Sequence, residues 1–234
     1  MTNLLAGAPA LLQFAKEWAI TGTMTTSRTL NIYFALWAVC IIASILSLLI
    51  LIPFAGDKVS MERGFLVWFV AGGLLTVATV VFQYLLLYQG WRLIPADIAR
   101  TIPGKAIGFL FIPIFNLYWM FVAYNGLGKD MNKTFLQRGI QFTVNEKLGL
   151  CYCIWCLIFV IASCIPETCS LIERIIPDIR DADVWFSINS IAQIVAPLVW
   201  VVAAFISLFA LIGFLRAIKN GTIALLEQES VARE

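Results

Sequence analysis

Thr101-Ile-Pro-Gly-Lys-Ala-Ile-Gly-Phe-Leu-Phe-Ile-Pro-Ile-Phe-Asn-Leu-Tyr-Trp119 is apolar enough to enter a membrane, yet Pro103, Gly104, Gly108, Pro113 and Asn116 interrupt it. Proline removes a backbone donor and clashes with the preceding turn, so an ordinary helix does not run through this stretch. Backbone groups freed at membrane depth persist only where protein packs around them or a wet cavity solvates them. The fold therefore turns on where this stretch begins and ends, which the rest of the chain decides.

Of the 234 residues, 61% are hydrophobic and 13% charged, against about 25% charged in soluble domains, so the expected class is all-α integral membrane. A charge at the bilayer centre costs at least about 2.5–3.5 kcal/mol, so charge-free windows mark the spans. Five occur, at 29–56, 64–91, 106–128, 148–166 and 184–215, with 28, 28, 23, 19 and 32 residues; about 20 suffice to cross. The spans expected within them are about 32–52, ending at Pro53, then 65–88, 148–165, ending at Pro166, and 190–215, with a broken segment over 101–125. Ala71, Gly72, Gly73 and Thr76, and later Ala203, Ala204 and Ser207, are small enough to let another helix approach.

If the broken segment crosses, Lys and Arg divide 7 to 9 between the two sides. If it returns to the side it left, or lies in the interface, they divide 12 to 4. Basic residues near span ends favour the cytoplasmic side. The expectation is four transmembrane helices plus a broken re-entrant or interfacial segment, with both termini cytoplasmic; five spans is the alternative. Residues 1–28 lack the basic start and cleavage site of a secretory signal and are expected to be retained as an interfacial segment, 29–219 to form the membrane domain, and 220–234 to be a cytoplasmic tail that continues the last helix and frays. Cys164 and Cys169 flank Pro166 before an acidic loop, where two free thiols or a disulfide are both open.

The chain has no histidine, which removes His-based nucleophile arrangements, His-ligated zinc and the usual haem ligand together. No Asp, Glu, Lys or Arg lies within the windows, against proton relays, voltage sensing and paired-aspartate proteolysis. Gln83, Asn189, Ser190 and Gln193 read as interhelical hydrogen-bonding groups. Cys151, Cys153 and Cys156 do not converge on a helix, so no metal site and no cofactor are expected. An enzyme acting on lipid would need surface acids such as Asp97, Asp130 or Glu146.

Arg100 to Trp119, followed by Gly128-Lys-Asp-Met-Asn132, resembles a segment shared by bacterial multi-pass membrane proteins with a domain of unknown function. Some of these carry a small GYF-like module ahead of the membrane part, which the 234 residues do not include. The resemblance implies a bacterial inner (plasma) membrane and a shared membrane core; the family supplies no reaction and hence no catalytic residue.

Arg100, Pro103, Gly104, Gly108, Pro113, Asn116, Tyr118 and Trp119 form the candidate functional segment. One reading makes it the border of a small cavity, with Asn116, Asn125 and Gly108 supplying polar or close-approach surface; the other makes it an interfacial anchor of aromatic residues. The expected partners are the lipid bilayer, anionic lipid at the 129–147 linker, and a protein partner or second copy; no nucleic acid is implied. A non-enzymatic assembly, scaffold or partner-interaction role is expected first, and a small channel or uncoupled permease lined by the Pro113 break second.

Overall fold

Runs of Leu, Ile, Val, Phe and Ala in hydrocarbon satisfy their backbone groups most simply as helices. The computed structural model describes residues 26–47, 58–176 and 183–231, and these contain helices and no strand. They are α1 Ser27–Leu46, α2 Lys58–Arg92, α3 Pro103–Gly108, α4 Phe115–Met120, α5 Leu127–Arg138, α6 Glu146–Ile175 and α7 Asp183–Val231. A 3-10 turn, Phe109–Phe111, follows α3, and a π-helical turn, Phe121–Gly126, joins α4 to α5. Among the described residues, four helices are long and apolar enough to cross a membrane: α1, the Phe69–Arg92 part of α2, α6 and α7. The 101–125 stretch supplies none of them, so the all-α fold has four candidate spans.

The element ends differ from the sequence expectation where side chains outside the apolar windows support more helix. α1 begins at Ser27 because Thr26 Oγ1 accepts from the Thr29 amide at 3.2 Å, an N-cap; its expected end at Pro53 lies outside the described residues. α6 does not stop at Pro166 but continues to Ile175. Hydroxyls around the proline turn back on the helix, Thr168 to the Cys164 carbonyl at 2.8 Å and Ser170 to the Pro166 carbonyl at 3.0 Å. α7 also runs through its proline, Pro197, and past 220 to Val231, so the tail continues the helix as expected but packs rather than frays over its described part. Its residues Thr222 and Leu225 are buried, and Gln228 donates to the Arg138 carbonyl at 2.9 Å.

One end of the molecule holds a shared core. Trp37 of α1, Leu87 and Trp91 of α2, Cys153 of α6 and Phe214, Leu215 and Ile218 of α7 meet there around Met120, Tyr124, Leu127 and Met131 of the connector between α2 and α6. Lys219 Nζ donates to Asn31 Oδ1 at 2.8 Å, and Arg138 pairs with Glu229 at 3.3 Å. Residues 26 and 231 thus lie at the same end as the connector. At the opposite end, no described residue of 42–81 or 157–210 joins this core. There α6 and α7 keep a seam of their own, with Ala162 and Cys169 on one and Ala196, Ala203 and Ala210 on the other, all buried. Seven-residue spacing on α7 keeps its alanines on one face, where small side chains allow close approach.

Candidate functional site

The broken segment folds into a hairpin whose two ends are fastened together. Asp130, on the inner face of α5, is 1% exposed. Its Oδ2 accepts from the Arg100 backbone amide at 3.1 Å and from Nε at 2.9 Å, while Oδ1 accepts from Nη2 at 2.7 Å. Such a two-pronged guanidinium–carboxylate pair is both oriented and strong, and the bond to Asp130 raises the Arg100 pKa above its already high ordinary value. Gly126 permits the approach, since a Cβ there would lie 3.1 Å from Arg100 Cδ. Further along, Trp119 Nε1 donates to the Ala106 carbonyl at 3.0 Å, and the Phe109 ring meets Phe115 and Trp119 edge-on at 5.5 and 4.8 Å. Outgoing residues 100–111 and returning residues 115–130 therefore run side by side in opposite directions, with the turn at 112–114.

The returning arm docks through its π-helical turn. A widened turn breaks the regular i to i−4 ladder and leaves carbonyls to be satisfied from outside. Trp91 Nε1 of α2 donates to the Ala123 carbonyl at 3.1 Å, and Cys153 Sγ of α6 to the Met120 carbonyl at 3.4 Å. Gln83 Nε2 donates to the Tyr124 hydroxyl, with Tyr152 Oη also within 3.4 Å. Gly149 makes room for the ring of Phe214, which would lie 2.9 Å from a Cβ added there. The outer arm reaches as far as Tyr84, which Phe111 meets edge-on at 5.4 Å. Tyr84 lies eight residues before Arg92, or about 12 Å along α2.

The segment from Arg100 to Trp119 is thus one structural unit, but its members serve unlike purposes. Arg100 and Trp119 bind the two arms. Pro103 opens α3 at a position where its missing amide costs nothing. Gly104 and Gly108 face open space and make no close approach, because a Cβ at either meets nothing within 4 Å. Pro113 lies at the exposed turn and Tyr118 is exposed, while the Asn116 amide closes the turn on the Ile112 carbonyl at 2.9 Å. Asp130, expected on the surface, is instead buried by its pairing with Arg100. The same helix is more than a linker between spans: Met131, Thr134 and Phe135 are buried with Asp130. Gly139 ends α5 at φ +67° with the Ile140 amide bonded back to Phe135 at 2.9 Å, a left-handed cap suited to glycine. Asn132 then pins the following strand of chain through the Val144 amide and carbonyl at 2.7 and 2.8 Å.

Sequence reasoning missed Asp130, Trp91, Tyr124 and Tyr152 as hairpin partners. Cys164 and Cys169 are both free thiols. Among the described residues no group of three or more Cys, Asp or Glu side chains is arranged to hold a metal ion. Gln83 and Asn189 do bond between helices, the latter donating to Glu173 at 2.6 Å. No family model, curated protein or solved structure matches the chain.

Proposed function

We propose that this is a non-enzymatic inner-membrane protein whose four spans hold a re-entrant hairpin in one leaflet, as part of membrane assembly, scaffolding or partner interaction. The observation that carries the reading is the fastening of Arg100 to Asp130, which returns the segment to the end it left. Six α-helical residues and a three-residue 3-10 turn reach about 15 Å, half of a hydrocarbon core about 30 Å thick. The basic end supports a cytoplasmic side for the hairpin's base and both termini: ten of the described Lys and Arg residues lie there against three at the other end. Lys105, Lys129 and Lys133 are exposed around that base, which suits contact with anionic headgroups. The resemblance of 100–119 and 128–132 to a bacterial multi-pass family adds the bacterial inner membrane to the proposal.

A channel lined by the Pro113 break is less well supported, since Pro113 sits on the outside of the hairpin turn and ring packing fills the space between the arms. Purified protein in lipid vesicles tests the choice. Neither the natural chain nor Pro113→Leu is expected to release ions or small neutral solutes. A flux that Pro113→Leu abolishes would replace the scaffold reading with the permease.

A further inference from the structure

The hairpin turn holds a residue that its backbone does not suit. Ile114 has φ +66° and ψ −53°, and the Phe115 amide bonds to the Pro113 carbonyl at 2.7 Å. This is a γ-turn with positive φ, the strained form, and a β-branched side chain is the least comfortable occupant of such a position. Ile114 is the only described non-glycine residue with positive φ. Its side chain is also 85% exposed, so no neighbour covers it. The bonds and rings around the turn hold the strained backbone, and a strained position that keeps an apolar side chain outward marks a place to look for function.

We propose that the Pro113–Ile114–Phe115 turn is a lipid-contact site that drives Ile114 into the acyl chains of one leaflet. The inference rests on the re-entrant reading of the hairpin. The occupant follows from position: the arm beside the turn lies against Tyr84, about 12 Å inside the Arg92 end of a helix able to span, where a bilayer surrounds the protein with hydrocarbon. Phe111 and Ile112 are exposed beside Ile114, and Val77 and Val81 are exposed on α2, so the apolar surface continues from hairpin to helix. Phe115 stacks on Trp119 at 5.5 Å, and both rings enclose Phe109. The turn is therefore braced from below as a stiff apolar wedge.

The photoreactive residue p-benzoylphenylalanine, placed singly at 114, at 81 and at 136 in the full chain in phosphatidylethanolamine–phosphatidylglycerol vesicles, tests this. On irradiation, positions 114 and 81 are expected to gain the mass of one phospholipid in comparable yield. A covalent dimer at 114, or no lipid adduct there while 81 gives one, would overturn the proposal. Impermeant labelling of Lys105 and Lys133 in the same vesicles separates the two failures. Both lysines on one side with no adduct at 114 removes only the lipid contact, whereas lysines on opposite sides removes the hairpin reading itself. Ile114→Gly supplies a second readout: relief of the strained turn is expected to raise the melting temperature in detergent, and a fall would show that the side chain is held by the protein and not by lipid.

Discussion

The two ends of this molecule use the same four helices in opposite ways. At the basic end, α1, α2, α6 and α7 all meet the hairpin and α5, which supply Met120, Tyr124, Leu127 and Met131 to the common core. At the other end the inserted element is missing, and α6 and α7 pack through alanines while presenting Phe186, Ile194, Leu198 and Phe205 outward. The contrast teaches that hydrophobicity alone does not join helices in lipid, where exposed apolar surface is already well solvated. Shape and polar pairing join them, and in this chain both are concentrated where the broken segment returns.

Substitutions at the two ends should therefore differ in cost, and the largest difference is expected at the hairpin's base. Arg100→Ala leaves the Asp130 carboxylate buried without its partner. Breaking such a pair costs about 3–5 kcal/mol when both members are buried, reduced here to about 2–3 kcal/mol because Arg100 is 39% exposed. Unfolding in mixed detergent micelles would read it, and Arg100→Ala combined with Asp130→Asn should recover part of the loss. An intermediate cost of about 1–3 kcal/mol is expected for Gly221→Leu, from overpacking, because Phe135 Cζ and Met131 Sδ would lie 2.8 and 2.9 Å from the new Cβ. Gly73→Leu, whose Cβ meets nothing within 4 Å, should by contrast leave the same midpoint within about 0.5 kcal/mol.

A smaller effect sharpens the comparison from within the membrane. Gln83→Leu removes the amide that bonds Tyr124, for an expected loss of about 0.6–1.7 kcal/mol, the range for hydrogen bonds between membrane helices. Asn189→Leu at the other end also removes one interhelical bond, and equal losses would show that polar pairing counts alike at both ends. The smallest change expected is Gly73→Ala, within about 0.5 kcal/mol of the natural chain, since a Cβ there meets nothing within 4 Å.

The four spans were legible because charges are costly in hydrocarbon, so Arg28, Arg63, Arg92 and Lys147 mark their limits in the sequence itself. The ends were less legible. Pro166 read as a stop, yet it lies within a continuous helix, as Pro197 does, since neighbouring turns sustain a helix across one missing donor. The tail after 220 read as fraying because its partner surface, formed by Met131, Phe135 and Phe142, exists only once the connector has folded. A signal for Asp130 was present in two parts. Its spacing from Leu127, Met131 and Thr134 puts it on the apolar face of α5, and a segment returning to its starting side brings residues near 100 and 130 together with opposite charges. Neither part points to a function by itself, and the residues that fasten the hairpin carry no mark of chemistry.

The return of the hairpin is the claim on which the rest depends. Biotin-acceptor peptides inserted singly at Ala96 and at Gly139, both exposed, and read by a ligase restricted to one side of the membrane, test it most directly. The same side at both positions, with an acceptor placed among residues 177–182 on the opposite side, is the predicted result. Ala96 and Gly139 on opposite sides would make 101–138 a fifth crossing and contradict the account.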